Sequence, residues 1–172
     1  MVVALIGIGV SDMHAETNMP SSEISKNLNL LIEQSIDGQK GYQDAANDIT
    51  SKKLQDRFAK ESSKRQEFAE TLQQKVSSLG KDFNTQGTVT GSLHRGWMGF
   101  KTAMIGQSVD DATVLGAVKT GESTALKVYE DVLAKGLPKD LDKIIKQQKD
   151  ELQKACDRID KELGKIKTEK KP

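Results

Sequence analysis

One cysteine, Cys156, occurs in 172 residues. A lone thiol excludes an intramolecular disulfide, so the fold rests on packing, which favours a reducing compartment or an outside one that needs no staple. Proline is almost as scarce: Pro20, Pro138 and Pro172 all lie outside the periodic stretches and break none of them. Aromatic residues make up 4% of the chain, and the two histidines are His14 and His94. Neither sign of charge is in excess, with 26 basic against 25 acidic residues and a net charge of +1. No bulk field therefore draws nucleic acid or an anionic membrane to the chain. No apolar run is long enough to cross a bilayer. A phosphate-binding glycine loop, a zinc-type cysteine set and nucleic-acid motifs are all missing. No strand alternation or internal repeat competes with a helical reading.

What the chain does have is helical periodicity. Leu54, Phe58, Phe68, Leu72, Val76 and Leu79 draw one stripe along residues 54–79, with Gly80 as the stop. A first helix opens near Ser21 or Ser22 behind a serine cap. Its core face carries Leu28, Leu31, Tyr42, Ala45, Ala46 and Ile49, and the small residues Ser35 and Gly38 admit a close neighbour. Glu33 and Asp37 project away from that face, as a solvated acidic surface, a second interface or an ion contact. A third helical region begins near Ser92 with Leu93, Trp97, Phe100 and Met104, breaks near Gly106, and restarts behind a Ser108–Asp111 capping pair. Val114, Val118, Gly121, Ala125, Val128, Tyr129 and Val132 continue its arc. Leu137 and Pro138 turn the chain into a fourth helix bearing Leu141, Ile145, Leu152, Ala155, Ile159, Leu163 and Ile166.

The pattern predicts an all-α protein, an antiparallel four-helix bundle spanning residues 22–166. Short first and last links make antiparallel neighbours; the middle connection suits either a tight end loop or a crossover. Residues 1–21 read as a flexible arm and 167–172 as a solvated Lys-rich tail. The apolar run at 2–10 also has the length of a signal-peptide core with cleavage after Ala15, although no basic residue precedes it. Cytoplasmic residence is the expectation, and export the alternative if residues 1–15 act as a signal.

Two positions on the 54–79 stripe are charged. Glu61 and Arg65 stand where the pattern asks for core residues, and an unpaired charge there is costly to desolvate. Projected helices bring Glu122, Tyr129, Gln148 and Tyr42 to the same level. The expected buried polar layer is Tyr42, Glu61, Arg65, Glu122, Tyr129 and Gln148.

One reading of that layer is a metal site for iron or manganese built on Glu61 and Glu122. Dinuclear carboxylate bundles project one Glu from each of two helices and a Glu-x-x-His from each of the other two. Here neither histidine follows a Glu by three; Glu61 has Lys64 there, and Glu151 has Lys154. Arg65 beside Glu61 also repels a cation. The favoured reading is an ion-pair network in which Arg65 bridges Glu61 and Glu122 and sets helix register, with no cofactor expected. Cys156 has no base on its helix and reads as a buried, inert thiol. The segment 92–101, with His94, Arg95, Trp97 and Lys101, has the makings of an anion contact at a helix start, yet a lone Trp on an apolar stripe is ordinary core.

Leu31-Ile32-Glu33, Asp37-Gly38 and Gly41-Tyr42 resemble the first-helix signature of a bacterial ferritin-like four-helix-bundle family of unknown function. Arg65 with Phe68 and Leu72 fits its second helix. Gly91 and His94-Arg95-Gly96-Trp97 fit the opening of its third, and Gly121-Glu122 and Tyr129-Glu130 its later part. The likeness covers about residues 25–163. Lys119 and Ser123 stand where the family tends to carry acids, and Cys156 where it tends to carry a His. A thiolate replaces that nitrogen donor only for a soft metal. The resemblance implies a ferritin-like bundle and transfers no reaction.

The resulting expectation is a non-enzymatic, self-associating bundle, a homodimer with Glu33, Asp37 and Gly41 at its contact, related to stress as many ferritin-like proteins are. The alternative is a carboxylate metal-binding protein that handles iron or manganese or acts as an oxidase. No nucleic-acid partner and no transmembrane segment are expected, and no small-molecule ligand is specified.

Overall fold

A computed structural model gives the fold, with residues 19–85 and 110–169 described. Among these residues the chain is all α, in four helices: α1 Ser21–Asp48, α2 Lys52–Ser78, α3 Asp111–Leu133 and α4 Lys139–Glu169. The arm, the start of the third helical region with its break near Gly106, and the segment around His94 and Trp97 fall outside the described residues.

Helix ends follow local chemistry. Ser21 is already helical, and no side chain caps α1; instead the Pro20 carbonyl accepts from the amides of Glu23 and Ile24 at 2.9 and 3.0 Å. The expected serine cap is thus displaced, because proline with its fixed φ holds the N-cap position. Gly80, at φ 64°, ends α2: its amide bonds Ser77 O and that of Lys81 bonds Val76 O, the paired bonds of a Schellman stop. Asp110 caps α3, its carboxylate accepting from Thr113 N at 2.9 Å. The cap is therefore Asp110, two residues after the expected Ser108.

Side-chain pairs fix the directions. Along α1 and α3, Asn27 meets Lys135, Ser35 meets Tyr129, and Thr50 meets Asp111, so these helices are antiparallel. Along α2 and α4, Arg57 meets Glu162, Lys64 meets Glu151, and Lys75 meets Asp140, also antiparallel. Hence α2 and α3 run in the same direction on opposite corners. Helix α3 begins at the end where α2 begins, not where α2 ends. Of the two connections open to the sequence, this is the crossover, the arrangement with one long connection found in ferritin-like bundles.

The polar layer divides the core in two. One apolar cluster holds residues such as Leu28, Leu31, Leu72, Val132, Ile145 and Leu152. The other holds Ala45, Ile49, Phe58, Val114, Leu115 and Ile159. Helix α1 is buried on more sides than its stripe predicts: Asp37 and Gly41 are both buried, and Glu33 is half-buried. The acidic face expected in solvent is therefore covered within the single chain, and Asp37 and Gly41 do not line an open dimer surface. No helix among the described residues is long and apolar enough to cross a membrane.

Candidate functional site

The six side chains of the expected layer are all buried, Tyr129 packing in one apolar cluster and Tyr42 in the other. Arg65 is the largest member of the layer and only 2% exposed. Its position on the α2 stripe, one turn from Glu61, leaves it no path to solvent. Arg65 Nη2 and Nε both donate to Glu122 Oε1, at 2.7 and 3.2 Å, joining α2 to α3 across the bundle diagonal. The guanidinium carbon lies 5.4 Å from the Tyr42 ring centre and 5.3 Å from that of Phe68, within cation–π range. Gly38 of α1 packs beside it, and a Cβ there would touch Arg65 Cγ and Cδ at 3.4 Å, about van der Waals contact.

The expected bridge by Arg65 is present, and a second arginine joins it. Glu61 is not bound by Arg65 at hydrogen-bonding distance, the approach being 3.8 Å. Its partner is Arg158 of α4, whose Nη2 lies 2.6 Å from Glu61 Oε1. Arg158 is a residue the sequence reading missed. It sits at the edge of the apolar face of α4, with its head a third exposed, so periodicity marks it as surface. Arg65 thus stands between both carboxylates as expected, hydrogen-bonded to Glu122 and in ion-pair contact with Glu61, and Arg158 adds a second cross-helix pair to Glu61. A third polar string lies beside them: Tyr129 OH donates to Gln148 Oε1 at 2.9 Å, and Ser35 Oγ lies 3.2 Å from the same hydroxyl. Ser35, expected as a spacer, is the α1 member of that string.

Burial governs the protonation of these groups. Burial pushes the Glu122 carboxyl above its ordinary range, and the Arg65 charge and hydrogen bond oppose that rise. For Arg65, burial pulls the pKa down, but Glu122, with Tyr42 and Glu61 adding to it, offsets that and the net shift is upward. The Tyr42 hydroxyl is raised well above normal by burial and then by the Glu122 charge. Tyr129 is pushed up to about 12, chiefly by burial. Cys156 is buried and free, and burial pushes its thiol up to about 11, so it is held as a protonated, weakly nucleophilic group.

The donor set can be tested against the metals that such bundles hold. Two carboxylates are present, but a guanidinium lies against each of them. Among the described residues, no group of three or more His, Cys, Asp or Glu side chains is placed to hold a metal ion. A hard dication asks for several oxygen or nitrogen donors with no competing cation. The side chains described here do not fit a dinuclear centre, because arginines already neutralise the acids it would use.

A crossover-connected bundle of four helices with charged groups at its waist defines a ferritin-like helical protein. The profile of the family described as "Domain of unknown function (DUF2383)" matches residues 23–135, and the chain belongs to that family. The match ends before α4. A solved structure described as ferritin-like, diiron-carboxylate proteins from Bacillus anthracis str. Ames is similar at a TM-score of 0.61, with 17% identity. That similarity covers 83% of this chain and 96% of the other, and at this identity it establishes the fold alone. None of the curated proteins matches the sequence.

Proposed function

We propose that this chain is a non-enzymatic ferritin-like bundle whose centre is closed by its own arginines, leaving its role to its outer surface and to self-association. The observation that carries this reading is the Arg65–Glu122 pair, a 2.7 Å contact between side chains 2% and 4% exposed. A buried, doubly hydrogen-bonded guanidinium holds register between α2 and α3 and occupies the carboxylate that metal chemistry would need. Leu30 and Phe83 support a contact surface. They are large apolar side chains, 39% and 37% exposed, and Asn29 ties their two segments together through Asp82 O and Asn84 N. Light scattering on the eluting protein at micromolar concentration should give a dimer mass, and a clean monomer removes self-association.

The rival reading is a carboxylate metal-binding protein. It is favoured by the likeness to a diiron-carboxylate structure and by Glu61 and Glu122 lying on either side of Arg65. Elemental analysis of untagged protein purified without chelators separates the two. We expect no stoichiometric iron or manganese and no aerobic uptake of ferrous iron. Bound metal that disappears in the Glu61→Ala, Glu122→Ala double variant would establish the rival. A stress-related role is part of the proposal, supported by the ferritin-like class; protein levels that do not respond to oxidant or starvation would remove it. Cytoplasmic residence is supported by the unpaired thiol of Cys156, and a mature chain beginning at Glu16 would establish export instead.

A further inference from the structure

The polar centre contains more hydrogen-bonding capacity than its side chains use. Gln34 Oε1, Tyr42 OH, Glu61 Oε2, Arg65 Nη1 and Glu122 Oε2 are each buried and make no hydrogen bond, with Glu61 Oε2 in ion-pair contact with Arg65 Nη1 at 3.8 Å. A buried polar group left in that state costs about 1–3 kcal/mol, more when charged. Four of these side chains, Gln34, Tyr42, Arg65 and Glu122, line one cavity between α1 and α3, which Gly38 and Gly121 also border. The space open to the centre of a water-sized sphere is about 10 Å³. That is roughly the minimum for one water, which also needs two to four polar partners.

The valences discriminate between occupants. Arg65 Nη1 can only donate, and Gln34 Oε1 and Glu122 Oε2 can only accept while Glu122 is ionised. Tyr42 OH does either. A metal ion or an ammonium would set a positive charge against Arg65, with nothing to accept its N–H. A halide would face Glu122 with nothing to donate. A molecule that donates twice and accepts twice satisfies all four groups, and the volume restricts it to one heavy atom. We propose that Gln34, Tyr42, Arg65 and Glu122 form a binding site for a single internal water, which links α1, α2 and α3 at the waist of the bundle. The inference stands on these four atoms and goes beyond the proposed function.

A crystal structure of the full chain at a resolution that shows ordered solvent, from crystals soaked in manganese, tests it directly. The expected result is a water peak within hydrogen-bonding distance of Arg65 Nη1, Tyr42 OH and Glu122 Oε2, without anomalous manganese signal. An anomalous peak there overturns both this site and the arginine-closed centre. A closed cavity, with the side chains meeting one another, overturns the water alone. In solution, relaxation dispersion of the water signal counts long-lived internal waters. The count should fall by one in the Gln34→Leu, Tyr42→Phe double variant and stay unchanged in Tyr129→Phe, whose hydroxyl lies outside the cavity. A folded double variant with an unchanged count overturns the proposal, and if it does not fold, the crystal of the wild-type chain decides.

Discussion

Arg65 and Glu122 show how much a buried charge depends on its partner. Moving either one from water costs several kcal/mol, and the two hydrogen bonds and the mutual charge offset part of that cost at Glu122. Glu122→Gln keeps the shape but leaves the guanidinium without a counter-charge. We expect it to lower unfolding free energy by about 3–5 kcal/mol, read as a lower urea midpoint. Replacing both partners, Arg65→Met with Glu122→Leu, should be neutral or stabilising by about 1–4 kcal/mol. If the double variant is as unstable as the single one, the pair contributes more than mutual neutralisation. Periodicity exposed both residues as misfits on apolar stripes. It left Arg158 out, because the body of that side chain lies on the bundle while its head reaches water, a distinction by atom that a residue pattern does not carry.

The helices are held to one another by two different chemistries. Between α3 and the α1–α2 connection, Asp111 accepts from Thr50 N at 2.7 Å, Thr50 Oγ1 at 2.9 Å and Ser51 N at 3.2 Å. Asp111→Ala should cost about 1–3 kcal/mol and speed amide exchange at Thr50 and Ser51; unchanged exchange at both would show the connection to be held otherwise. Between α2 and α4 the ties away from the polar layer are more exposed pairs. Hydrogen bonds from Lys154 and then Lys64 hold the Glu151 carboxyl down, to about 2. Glu162 is lowered by Lys165, with Arg57 adding to it. Both carboxyls sit below their unfolded values, so their stabilisation is present above the ordinary carboxylate pKa of 4.5 and is lost as pH falls from there toward about 2. Glu122 has the opposite sign: its pKa is raised, so its ionisation opposes folding as pH rises above the ordinary value. Solvent screening limits each surface pair to about 0.2–1 kcal/mol. The Glu151→Gln, Glu162→Gln double variant should therefore be less stable than wild type at neutral pH, with the gap closing by about pH 2 and shrinking in high salt. A gap independent of pH would show that these carboxylates act through packing.

For the whole molecule, the proposed reading of the waist between the two apolar clusters predicts a frame that needs no ion to fold. We expect chelator, manganese or ferrous iron to leave the thermal midpoint unmoved; a ligand bound at 100 times its Kd would stabilise by about 2.7 kcal/mol, so an upward shift with metal is readily seen. The all-α class, the stripes of α2 and α4, and the residues forming the polar layer were legible in the sequence, because helical periodicity and the cost of burying charge are properties of residues and their spacing. The acidic face of α1 was misread for the same reason: periodicity names the face that meets a core, but not a second face that other parts of the chain cover. Partner choice was not legible either. Glu61 takes its hydrogen bond from Arg158, with Arg65 in ion-pair contact at 3.8 Å, because the antiparallel course of α2 and α4 brings residues 97 positions apart together. The parallel course of α2 and α3, and with it the diagonal Arg65–Glu122 bond, was likewise decided by the tertiary structure. The sequence by itself determined which side chains leave water; only the packing of four helices decided which of them meet, since desolvation is set locally and pairing is set by distance in space.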